Sequence, residues 1–347
     1  MCHKTLTGGL MLWERVASAD FFSLLMAGLQ VPVVNLIIAT GIVALVLVAR
    51  TSRGSGTNGS AQPQLASRHV AEAWALGNGA VVAAFAYGVL SILQSFVFDL
   101  VNVVSWWYYA TPLISGAAIA TVVVLVMTVG ERDTPLRPMV PTSRRAWASF
   151  VRPREITAAA LATALLISIT VFAGMNSTPD EEGRFVYVNI TVPNTDVEPL
   201  RPWFYGWAYG VPVLICAALM ILAAWGALHI NARRSFTGPE LVTSERATRT
   251  IIGNSVARIV TGTALLSLAG ALRFIARGSS IEKLTIEGQG TYEAAWRHAE
   301  FAVVGGAVAP CFEIVGFVLL LLTGIAMLNA AARPAPRART PKAGQAR

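Results

Sequence analysis

Seven apolar stretches constrain this chain more than any motif in it; they run over about 30–48, 73–98, 107–129, 156–175, 208–230, 251–273 and 303–329. A bilayer core near 30 Å thick calls for roughly 20 residues of helix, so each stretch suits one crossing. Inside lipid a crossing segment must satisfy its own backbone hydrogen bonds, which makes helix the expected form. The expected fold is an all-α membrane protein, a seven-helix transmembrane bundle over 30–332. An extracellular arm, 1–29, precedes it, and Leu10, Trp13, Val16, Phe21, Leu24 and Leu25 there suit one face of an interfacial helix. A basic, proline-bearing cytoplasmic tail, 333–347, follows and is expected to be disordered. Composition agrees, with 13% charged residues and a mean hydropathy of +0.58, against about a quarter charged in soluble domains.

The net charge of +8 would suit nucleic acid, but the arginines lie in loops between apolar runs. Loop by loop they obey the positive-inside rule. Eighteen Lys and Arg residues fall on one side, among them Arg50, Arg132, Arg144, Arg233 and Arg339, against eight on the other. That bias places the N-terminus outside and the C-terminus in the cytoplasm, with no nucleic-acid partner. Trp106, Trp107, Trp203 and Trp207 stand at span ends and are expected to anchor in the headgroup layer. The outer insertion 176–201 holds an alternation, Phe185, Tyr187 and Asn189 against Val186, Val188 and Ile190, that predicts a short strand over Arg184–Val192 beside the Trp203–Tyr209 aromatics. Asn176 and Asn189 head glycosylation sequons in the same insertion.

No signature of catalysis is visible. The histidines, His3, His69, His229 and His298, are scattered, and no HExxH or glycine-rich nucleotide loop occurs. Cys2, Cys216 and Cys311 form no CxxC, and the two in spans are read as buried apolar fillers. We therefore expect no enzyme activity, no catalytic residue, no cofactor and no metal.

The chemistry concentrates on two intramembrane charges, Glu313 in the last span and Arg258 in the preceding one. Such charges are costly in lipid and usually face a partner charge, water or a ligand pathway. At 1.5 Å per residue their depths differ by ~6 Å, within reach of an arginine, so an Arg258–Glu313 pair is expected. Either the pair only fixes helix register, or Glu313 is a protonated acid bonded to a backbone carbonyl, or the two mark a ligand or ion site, with Asn254 and Asn35 as polar neighbours. Stripes of small residues, Ala80–Ala84–Gly88, Gly253–Ala257 and Gly305–Ala309, are read as close helix packing.

Two family comparisons arise. Seven spans with Glu131-Arg132 after the third resemble a G-protein-coupled receptor, but Asp133 follows and no Asn-Pro-x-x-Tyr closes the last span. Over the final sixty or so residues, Trp296, Phe301 and Phe312-Glu313-Ile314 resemble fungal seven-helix proteins that include relatives of the lipid-translocating exporters. That resemblance implies a plasma-membrane protein concerned with lipid or toxic-compound tolerance, or receptor-like sensing.

The sequence thus leads to a non-enzymatic, receptor-like integral membrane protein of the plasma membrane. Its expected partners are the bilayer, a small-molecule or lipid ligand, and a cytoplasmic protein meeting the basic loops. The alternative is a transporter or lipid-handling protein using a polar site around Glu313 and Arg258.

Overall fold

The structure, a computed structural model, describes residues 27–53, 67–96, 103–130, 146–192, 198–236, 242–279, 283–286, 290–294 and 296–332. Seven of its helices are long and apolar enough to cross a membrane. They are α1 (Pro32–Arg53), α2 (Val70–Phe96), α3 (Trp106–Val129), α4 (Pro153–Met175), α5 (Trp207–Arg233), α6 (Val242–Ser279) and α7 (Ala299–Ala331). The chain is built as a multi-pass membrane protein. Large apolar side chains such as Val82, Leu125, Leu161, Leu222 and Val304 stand exposed on the bundle's outer faces, where a soluble protein would gather an aggregating patch. The N-terminal arm, the 54–66 linker and the tail predicted to be disordered lie outside the described residues, apart from 27–29 of the arm.

Helix α6 is the axis. It is 83% buried over its apolar window, against 22% for α1, and it touches α2, α3, α4, α5 and α7. Lipid tails are as apolar as leucine, so helices in a membrane associate through close packing rather than hydrophobic expulsion. Small residues on α6 allow that approach. A Cβ on Gly262 would meet the Gly316 carbonyl at 3.0 Å, and one on Gly316 would meet the Gly262 carbonyl at 2.9 Å. The α2–α7 crossing is built the same way from Gly77 and Gly324. The stripes read from sequence also lie in contacts: Gly88 faces Leu36, Gly253 faces the Phe150 carbonyl and Gly305 faces Leu272.

Helix signals explain the boundaries. Pro153 opens α4, where its missing N–H costs nothing, and Glu155 follows in the first turn against the positive end of the helix. Pro310 lies inside α7 and deprives the Gly306 carbonyl of its partner four residues on. Gln30 Nε2, just before α1, donates to that carbonyl at 3.4 Å.

The strand expectation holds. Strand β2 (Phe185–Tyr187) pairs antiparallel with β1 (Thr178–Pro179), and bridges continue to Trp203 and Leu200. Asp180 Oδ1 accepts from the backbone of Glu182 and Arg184 in the connecting turn, where Gly183 takes φ +78°. The alternation has its packing meaning: Val186, Val188 and Ile190 are buried while Phe185 and Asn189 are exposed. Tyr187 meets Trp203 edge-on at 5.6 Å. A second hairpin, β3 (Lys283–Ile286) with β4 (Gly290–Glu293), lies in the loop before α7, for which the sequence analysis names no element. The fold is thus helical with two hairpins at one end of the bundle.

Replacing Gly262 with Val should lower stability in detergent by about 1–3 kcal/mol, the usual cost of overpacking a closed interface. Gly41→Ala, with nothing within 4 Å of the new Cβ, should leave the melting temperature unchanged in the same assay.

Candidate functional site

Glu313 is fully buried, but its partner is not Arg258. Arg273 grips it with both terminal guanidinium nitrogens, Nη2 donating to Oε2 at 2.6 Å and Nη1 to Oε1 at 3.3 Å. Asn35 Nδ2 donates to the same Oε2 at 2.6 Å and to the Leu29 carbonyl at 2.9 Å. Three helices, α1, α6 and α7, therefore meet on one carboxylate near the hairpin end of the bundle. The forked, charge-assisted contact fixes both side chains. The two charges cancel, which is what allows them to lie in a low-dielectric place at all. Tyr87 and Tyr108 stack on each other at 5.3 Å, and Tyr87 leans on Phe317 at 6.0 Å. A side chain at Gly270 would bring a Cβ within 3.1 Å of the Tyr87 hydroxyl.

The expected Arg258–Glu313 pair is thus corrected. Arg258 bonds Glu155 of α4 through Nη2 at 2.7 Å and Nε at 3.1 Å, with its side chain 34% exposed. Some 22 Å of helix rise separates it from Arg273. The sequence reading ended the span at Arg273, taking a charge as a membrane boundary. In fact α6 continues for more than a turn beyond it, through Phe274 and Ile275 to Ser279. That apolar continuation was the available signal. Asn254 is displaced from the expected cavity as well: its Oδ1 accepts the Arg152 backbone N–H at 2.9 Å, at the arginine-rich end. Asn35 alone of the proposed neighbours reaches Glu313.

Trp106 is exposed and Trp107 half-buried at the start of α3, Trp203 belongs to the strand bridge, and Trp207 opens α5 against Gly174. Asn176 has both amide atoms engaged, Nδ2 with the Phe172 carbonyl and Oδ1 with Arg297, whereas Asn189 is exposed. Cys311 is exposed on the outside of α7 rather than buried, and Cys216 is intermediate.

A second buried polar network, missed from sequence, ties the other end. Glu72 accepts Arg234 Nη1 and lies 2.6 Å from His69 Nδ1, with both His69 and Glu72 essentially inaccessible. Arg68 Nε donates to His69 Nε2 at 3.1 Å, and its Nη2 is 2.8 Å from Glu245 Oε2. Partial burial lowers the Arg68 pKa, an effect the Glu245 carboxylate opposes. Arg249, fully buried, donates to the Arg234 and Ser235 carbonyls and lies over the Phe236 ring at 4.4 Å. Each charge is half-hidden in sequence because it sits in what reads as a topogenic arginine loop. The near-turn spacings of His69 with Glu72 and of Glu245 with Arg249 are the local clues.

Neutralising Glu313 or Arg273 alone should strand a buried charge and cost on the order of 3–5 kcal/mol. Glu313→Gln combined with Arg273→Met should recover much of that loss in a thermal-unfolding cycle. Arg258→Met should be additive with Glu313→Gln and, being partly exposed, cost no more than about 1 kcal/mol.

No protein-family model, no curated protein and no solved structure matches the chain, so its function is read from this geometry.

Proposed function

We propose that the protein is a non-enzymatic sensor of the plasma membrane, with the hairpin end outside as the ligand-facing cap and the arginine-rich end in the cytoplasm. One observation carries this reading: a single buried helix, α6, bears Arg273 of the Glu313 cluster at one end and Glu245 and Arg249 of the second network at the other. A ligand that alters the contacts of Glu313 acts on the end of a rigid element whose opposite end is held by charges. Between them, residues 259–272 carry no ionisable side chain and are buried throughout. The reciprocal Gly262–Gly316 backbone contact favours signal transfer over solute passage along this helix. The ligand is a small molecule or lipid, and the basic loops at the opposite end are the surface for a cytoplasmic protein or for anionic lipid.

Two measurements test the proposal. Spin labels at Thr51→Cys and Thr243→Cys, both exposed at the arginine-rich end, report its geometry in a background with the native cysteines changed to serine. The distance distribution should shift between the native site and the Glu313→Gln, Arg273→Met double variant; an unchanged distribution contradicts coupling. For orientation, Glu182→Cys should react with an impermeant maleimide on intact cells, and Thr51→Cys only after permeabilisation. The reverse pattern inverts the topology and overturns the assignment of ends.

A further inference from the structure

The network at the arginine-rich end contains one group able to change charge near neutrality, and it is held so that a proton must rearrange its partners. His69 is fully buried. Its Nε2 faces Arg68 Nε at 3.1 Å, and its Nδ1 faces Glu72 Oε2 at 2.6 Å. An arginine nitrogen only donates, so His69 Nε2 must accept; Nδ1 then carries the proton and donates to Glu72, and the ring is neutral. Among the described residues, the other charges around this pair are Arg234, bonded to Glu72 from the end of α5, and Glu245 and Arg249 from the start of α6.

We propose that His69 is a proton-operated latch between α2 and α6, whether or not Glu313 binds a ligand. A proton from solvent takes the Nε2 lone pair and turns the imidazole into imidazolium. The Nδ1–H bond to Glu72 survives, because a carboxylate accepts from either form. The Arg68 bond does not, since two donors and two positive charges then face each other across 3.1 Å. Glu72 cannot absorb both cations, being already shared with Arg234. Arg68 therefore leaves the imidazole, and with it goes the alignment that holds its Nη2 against Glu245 of α6. The Arg68 side chain is 26% exposed, which gives both the proton a way in and the guanidinium a way out to water. Histidine is the side chain whose ordinary charge change lies nearest neutrality, which makes pH the variable to test.

The test uses the full chain in liposomes, with spin labels at Ala71→Cys and Thr243→Cys, exposed positions at the starts of α2 and α6, in the serine background. The distance distribution should change on going from about pH 8 to about pH 5, the histidine range. In His69→Gln it should not, because glutamine can accept from Arg68 and donate to Glu72 but takes no proton. Nitrogen-15 histidine spectra of the wild-type protein give a readout that needs no folded variant. At the higher pH His69 should be the Nδ1-protonated neutral tautomer, and it should become doubly protonated in step with the distance change. The same pH response in His69→Gln, no response in the wild type, or a His69 that stays neutral at the lower pH each overturns the latch.

Discussion

The bidentate contact between Arg273 and Glu313 is the interaction on which the hairpin end of the bundle depends. A carboxylate at the heart of three helices would be untenable alone, and an arginine there equally so. Together they are neutral, and Asn35 brings α1, otherwise the least buried helix, onto the same oxygen. This single contact fixes the register of α6 against α7 and the position of α1 on both.

The remainder of α6 is shaped by the opposite logic. Where no charges meet, glycine and alanine let backbones touch, as at Gly262 and Gly316. The helix gains packing and loses room. At the far end charge returns, but spread over more partners: Arg68, Glu72, Arg234, Glu245 and Arg249 hold together the ends of α3 and α5 and the starts of α2 and α6. Helix α6 is thus packed tightly in the middle and pinned by buried charges at both ends. Its pins differ in kind, one a forked ion pair shared with Asn35, the other a wider network that includes an imidazole.

Much of the architecture was legible in the sequence because membrane helices obey length and hydropathy rules that need no tertiary knowledge. All seven spans fall within the observed helices to within a few residues, and the period of two at Phe185–Ile190 found its buried and exposed faces. The site was only half legible. Glu313 and Asn35 stood out because isolated polar residues in apolar runs are conspicuous, yet Arg273 was hidden by its place near a span's edge. Hydropathy marks where lipid contact ends, whereas burial against hairpins and aromatic side chains such as Phe204 and Trp296 continues further. The second network was hidden for a related reason. Arginines near loops have a sufficient explanation in topology, so their burial and their ion pairs with Glu72 and Glu245 could be found only from packing.

Helix α6 is a continuously packed axis held by buried charges at both ends. Amide hydrogen exchange along α6 in nanodiscs tests it most directly, because exchange reports local opening of each backbone hydrogen bond. Residues 255–272 should form one unbroken block of the slowest exchange in the molecule, slower than any segment of α1. Rapid exchange around Gly262 or Ser267, splitting that block, would show a helix that opens in the middle and would contradict it.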